Sequence, residues 1–191
     1  MNNIKQTLTE KKYNIYTRPY EINIVGVRSA NRTANAFDDV IHLWYNDEDA
    51  KERWVSFPAT TDPGIVWLTK PMNAKGAAIL HPGQYRNAYQ LGLHRGAYRA
   101  LIQRGPVTVY RDDDHNDMLD VDERKTETGY FGINIHRAMQ TGKTTFIDRY
   151  SAGCQVFQSA GDFAMFMRLC ERHRSMYQNR FTYTLLESLS L

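Results

Sequence analysis

Two side chains have the types and spacing for nucleophilic chemistry. Cys154 sits in Ser151-Ala-Gly-Cys-Gln155, directly after small residues. Small residues let the backbone turn tightly. Such a turn can aim consecutive N–H groups, here those of Gly153 and Cys154, at one point, as an oxyanion requires. A helix is expected just beyond, and its N-terminus would favour the thiolate. His136 ends a β-patterned run over 129–135, and fourteen residues separate it from Ser151. A strand, a loop and a return of that length can bring an imidazole to a thiol as base to nucleophile. A lone cysteine is more often a small buried hydrophobe. Cys170, on the apolar side of the expected helix, reads that way.

The stretch Gly132-Ile-Asn-Ile-His136-Arg137, a spacer and Ser151-Ala152-Gly153-Cys154 resembles the catalytic core of the L,D-transpeptidase (YkuD-type) family. That family has a Gly-Ile-His-Gly-like strand end, a similar spacer and Ser-His-Gly-Cys. Thr61-Asp-Pro-Gly64 resembles its upstream Thr-Pro-x-Gly turn, and Asp162 opens the helix after the cysteine. The resemblance covers roughly 57–187, with its specificity concentrated in 132–155. Ala152 stands where the family has His, Val156 where it has Arg, and Arg137 where it has Gly or Ser.

The resemblance implies acyl transfer on peptidoglycan stem peptides, as transpeptidation or hydrolysis, through a thioester on Cys154 with His136 as base. Ser151, Ala152, Gln155, Arg137, Arg149 and His94 are the expected substrate-binding residues, with Arg137 or Arg149 as an anion clamp. His94, in Gly92-Leu-His-Arg-Gly96, has glycines on both sides that let a ligand approach. The second expectation is a catalytically inactive cell-wall-binding or structural module on the same fold, with Ala152 marking decay of the site.

No cofactor is expected, with calcium as the one candidate. Asp112-x-Asp114-x-Asn116-x-x-x-Asp120 places oxygen ligands at positions 1, 3, 5 and 9 of a calcium loop, with Glu123 at 12. Asp117 occupies position 6, where Gly is usual. A solvated acidic loop is the simpler reading. Neither H-E-x-x-H nor C-x-x-C is present, so zinc has no support.

The elements that must position these groups read as mainly β. Alternation and turn residues predict strands at 20–28, 37–45, 53–57, 65–68, 89–94, 98–103, 106–110, 129–135 and 180–186. Residues 36–45 also admit a short helix. One helix starts near Ser159, with Phe163, Phe166, Met167, Cys170 and Tyr177 on one face. The expectation is a single-domain β-sandwich or barrel of the L,D-transpeptidase type, with one C-terminal helix before the last strand. Residues 1–19 form an N-terminal arm, loose or briefly helical, and 20–191 the domain.

The composition fits a globular chain. Its 191 residues are 42% hydrophobic and 24% charged. A net charge of +3 is too small to argue for nucleic acid. No apolar run approaches a membrane span, and two cysteines make no disulfide framework. The first residues lack an apolar signal-peptide core. A cell-envelope substrate then implies another export route or delivery from outside, as by a phage or an effector.

Overall fold

The computed structural model describes residues 2–188; Met1 and 189–191, the outer ends of the expected arm and domain, lie outside the described residues. Eight strands close a barrel. In chain order they are β1 (Asn23–Arg28), β2 (Asp39–Asn46), β3 (Glu52–Thr60), β5 (Gly83–His94), β6 (Tyr98–Gln103), β9 (Ile135–Arg137), β10 (Gln155–Phe157) and β11 (Phe181–Glu187). Around the barrel they run β1-β11-β5-β6-β9-β10-β3-β2. Closure leaves no unpaired edge on this sheet. A second sheet has β4 (Ala77–Leu80), β7 (Val107–Asp112) and β8 (Thr126–Gly129), in the order β4-β7-β8. The helices are α1 (Asn2–Glu10), α2 (Ile65–Thr69) and α3 (Ala160–Met176).

Alternation along β1 explains why all six of its residues are buried. Ile24 joins the main core with Ile41, Leu43, Phe57, Leu101 and Tyr183. Val25 and Val27 join a second cluster with Ile4 and Leu8 of α1, Trp44 and Leu186. The N-terminal segment is therefore packed against β1 rather than loose. On α3, the Ser159 hydroxyl accepts from the Asp162 N–H at 3.3 Å and caps the helix. Phe163, Phe166 and Cys170 are buried, and the two phenylalanines meet Phe157 at centroid distances of 5.5 and 4.8 Å. Cys170 is a core residue, as its spacing predicted.

The structure corrects the strand expectations at 65–68 and 129–135, and decides between strand and helix at 36–45. Residues 36–45 form no helix; Asp39–Asn46 pairs with β3 as a hairpin strand. Residues 65–68 lie in α2, although the β-branched pair Ile65-Val66 favours a strand. The β3 ladder has ended there, Leu68 is fully buried, and the Trp67 indole donates to Arg149 O at 3.0 Å. Tertiary contacts override propensity in this five-residue turn. Ala77–Leu80, where the sequence predicts no element, is a strand. Residues 129–135 are not one strand: β8 ends at Gly129 and β9 begins at Ile135. Between them the Gln103 side chain replaces a ladder, its carbonyl accepting from Phe131 N at 3.1 Å and Ile133 N at 3.0 Å.

A buried ion network holds the end of β1 to the 61–64 turn. Arg28 is fully buried, 2.8 Å from Asp62 and 3.3 Å from Glu187, and also donates to Thr61 O at 3.1 Å. Asp39 accepts from Thr61 N and Thr61 Oγ1 at 2.6 and 2.9 Å. Removing one partner of such a network strands an uncompensated buried charge. Arg28→Ala is therefore expected to cost about 3–5 kcal/mol in urea denaturation. Arg28→Lys should recover little of it, because an ammonium cannot reproduce the guanidinium fork.

Candidate active site

The register of two short parallel strands places the nucleophile candidate beside the base candidate. Gln155 pairs with Ile135 and Val156 with His136. The Gln155 N–H donates to Asn134 O at 2.9 Å, which continues the register towards Cys154. Ile135 joins the main core, and Gln155 bonds Tyr183 of that core. Alternation then gives Cys154, Asn134 and His136 the opposite face of the sheet. The register sets Cys154 diagonally from His136, with Val156 as the direct partner of His136.

Three groups are tied to the imidazole. His136 Nδ1 is 2.9 Å from Arg137 O and 3.2 Å from the Tyr98 hydroxyl. A carbonyl only accepts, so Nδ1 carries the proton and Nε2 keeps its lone pair. The His94 ring stacks on His136 at 4.1 Å between centroids. Asn134 orients His94 in turn. Its carbonyl accepts from Gln103 N at 2.8 Å, which turns its amide N–H towards His94 Nδ1 at 3.0 Å. Burial, with the neighbouring His94, lowers His136 to about 3, so the ring is neutral at neutral pH.

Cys154 is partly exposed. Its Sγ donates to Gly132 O at 3.4 Å and accepts from Asn134 N at 3.4 Å, and no hydrogen bond joins it to the imidazole among the described residues. Burial pushes the thiol up to about 11. The expected helix dipole is not at hand, because β10 intervenes between Cys154 and α3. Cys154 therefore rests as a thiol. Its alkylation by iodoacetamide at pH 7 should run roughly 100-fold slower than that of an ordinary cysteine, rising through pH 9–11. Alkylation at an ordinary rate with a midpoint near pH 8.5 would contradict this.

The other expected residues divide into two groups. Ser151 and Gln155 are fully buried and structural, which corrects their expected substrate role. Ser151 Oγ accepts from Gly153 N at 3.1 Å and donates to Cys154 O at 2.8 Å. The Gly153 N–H is thus engaged, which corrects its expected part as an oxyanion donor; of the two N–H groups expected there, that of Cys154 keeps the expectation. Gln155 donates to Thr61 O and Gly153 O and accepts from the Tyr183 hydroxyl at 2.8 Å. The 61–64 turn meets the same loop through a bond from Gly64 N to Ser151 O at 2.9 Å. Arg28, anchoring that turn, thereby helps to position Cys154.

Arg137, Arg149 and His94 do line a cleft, of about 310 Å³, with His136, Tyr98 and Trp67. Arg137 lies over the Tyr98 ring at 4.5 Å. Among the described residues no carboxylate forms an ion pair with Arg95, Arg137 or Arg149, so this wall is net cationic. Trp67 also borders a second cavity of about 310 Å³, which Ala152 lines with Met72, Ala78, Tyr130 and Phe131. Cys154 itself lines neither cavity. Larger cavities, about 440 Å³ near Arg18 and His173 and about 460 Å³ against α3, include neither residue.

Sequence reasoning missed the positioning roles of Asn134, Tyr98 and Trp67. Asn134 had a signal: it precedes His136 by two residues and so shares its face. Asp112, Asp114 and Asp120 each offer an oxygen within 4.8 Å of the others. Asn116 instead bonds Asp114 and the Met118 N–H. Comparison with protein-family models, curated proteins and solved structures returns no match.

Proposed function

We propose that this chain is a cysteine acyltransferase or peptidase of the L,D-transpeptidase type acting on peptidoglycan stem peptides. One observation supports the reading: the parallel register sets Cys154 diagonally from His136, whose imidazole lines a cleft and is held as the Nδ1–H tautomer. The cationic wall of Arg95, Arg137 and Arg149 suits a peptide bearing free carboxylates.

The reaction begins when a bound amide displaces the thiol from Gly132 O. The Sγ proton passes to His136 Nε2 as the S–C bond forms at the amide carbonyl. The Cys154 N–H faces the developing oxyanion. Collapse breaks the C–N bond, and the imidazolium returns its proton to the leaving amine. An amine or water then attacks the thioester, His136 takes that proton, and the thiol is restored. Because both groups rest neutral, proton transfer accompanies attack rather than preceding it.

The test is turnover of a stem tetrapeptide with an amine acceptor, followed by mass spectrometry. Cross-linked or hydrolysed product from the native chain, with none from Cys154→Ala, is the expected result. The elevated thiol and its bond to Gly132 O favour a second reading, a binding module that retains the fold without turnover. Stem-peptide binding unchanged in Cys154→Ala, with no product from either protein, would select it.

A further inference from the structure

The acidic trio lies at the end of the second sheet. Asp112 is the last residue of β7, only 1% exposed, and among the described residues its Oδ1 has no hydrogen-bond partner. Its other oxygen accepts from Asp120 N at 2.9 Å, which fastens the loop back onto the strand. Asp114 faces solvent, with its carboxylate held by the Asn116 N–H at 3.2 Å. The nearby cations are engaged elsewhere: Lys125 with Asp113 at 2.6 Å, Arg111 with Glu127 at 2.9 Å and Arg124 with Asp122 at 2.8 Å. Among the described residues, no Lys, Arg or His pairs with Asp112, Asp114 or Asp120. A buried carboxylate oxygen with no partner, beside two further carboxylates, is costly unless a cation completes the set.

We propose that Asp112, Asp114 and Asp120 bind one calcium ion. Two ligands on opposite sides of a calcium ion stand about 4.6–5.2 Å apart, given metal–oxygen distances of 2.3–2.6 Å. The three oxygens all lie within 4.8 Å of one another, so a small movement of the exposed Asp114 side chain brings them onto one ion. An all-oxygen donor set with neither His nor Cys selects a hard cation over zinc. A partly exposed set of carboxylates, two of them outside the strand, suits calcium better than magnesium, which demands a tighter octahedron.

The ion's role is structural. The loop is already pinned at Leu119, whose N–H donates to Arg32 O at 2.9 Å, and at Ala34 N, which donates to Asp117 O at 3.0 Å. Calcium would close it onto β7. From there the chain runs through β8 to Gly132 and Asn134, the two residues that hold the Cys154 thiol. The inference stands whether or not Cys154 is catalytic.

The experiment titrates EDTA-treated full-length protein with calcium chloride by calorimetry, and records melting with calcium or magnesium. One calcium per chain, a higher melting temperature with calcium than with magnesium, and at least tenfold weaker binding in Asp114→Asn and Asp112→Asn are expected. Asp114 is exposed, so its variant should fold even if the Asp112 variant does not. Asp113→Asn, outside the trio, should bind as the native chain does. No heat and no melting shift would overturn the site. So would Asp114→Asn binding as tightly as the native chain, or an equal response to magnesium.

Discussion

Gly153→Ala is expected to abolish acylation of Cys154 and to cost about 3 kcal/mol or more in stability. Gly153 has φ +115°, a conformation L residues rarely adopt, and a Cβ there would overlap the backbone carbonyl of Ala78 and crowd Ile133. Neither neighbour can swing aside, because Ala78 is paired in β4 and Ile133 is core. The strain falls one residue from the thiol and breaks the turn that Ser151 holds. Gly132→Ala is the matched comparison. Gly132 also has a positive φ, +72°, but a Cβ there meets open space. It should cost only about 1 kcal/mol. Denaturant titration of both variants separates the two causes. Equal losses would show that conformation alone matters and that close packing at Gly153 does not.

The second large effect belongs to His136. His136→Gln should slow Cys154 acylation roughly 10²–10⁴-fold, the usual contribution of a positioned base. Tyr98→Phe should cost far less, because Arg137 O still holds Nδ1. A readout independent of rate follows from the burial of the imidazole. Native His136 is lowered to about 3, while an unfolded histidine titrates near its ordinary 6.5. Below pH 6.5 the unfolded chain therefore takes up a proton that the native chain refuses. Stability contributed by the neutral ring is complete above pH 6.5 and is lost as pH falls towards 3, at a slope approaching about 1.4 kcal/mol per pH unit. His136→Gln should remove that share of the slope. A variant whose rate is unchanged would eliminate His136 as base, whatever its effect on stability.

The fold was legible where one physical signal dominated. Alternation and turn residues pointed to β1, β2 and β3, and an apolar stripe beginning near Ser159 pointed to α3. The sequence failed to reveal elements whose form depends on distant partners. Ile65-Val66 looks like strand, yet the turn fixed by Arg28 forces the chain off the sheet and into α2. Residues 130–134 look like strand, yet Gln103, some thirty residues away, takes their N–H groups. The site divides in the same way. Cys154 and His136 were visible as residue types at a suggestive spacing. Ser151 and Gln155 were misassigned because nothing local says that a polar residue beside a nucleophile faces inward, towards Thr61 and Tyr183. The state of the thiol was likewise hidden, since it follows from burial and from β10 standing between Cys154 and the helix.

The central claim is that Cys154 is an acylatable nucleophile activated by His136. Intact-mass measurement after incubation with a carbapenem tests it most directly, on the native chain, Cys154→Ala and His136→Gln. A single adduct on the native chain, none on Cys154→Ala and a greatly slowed one on His136→Gln is the predicted outcome. No adduct on the native chain between pH 7 and 9, from a thiol that iodoacetamide still reaches at pH 10, would contradict it.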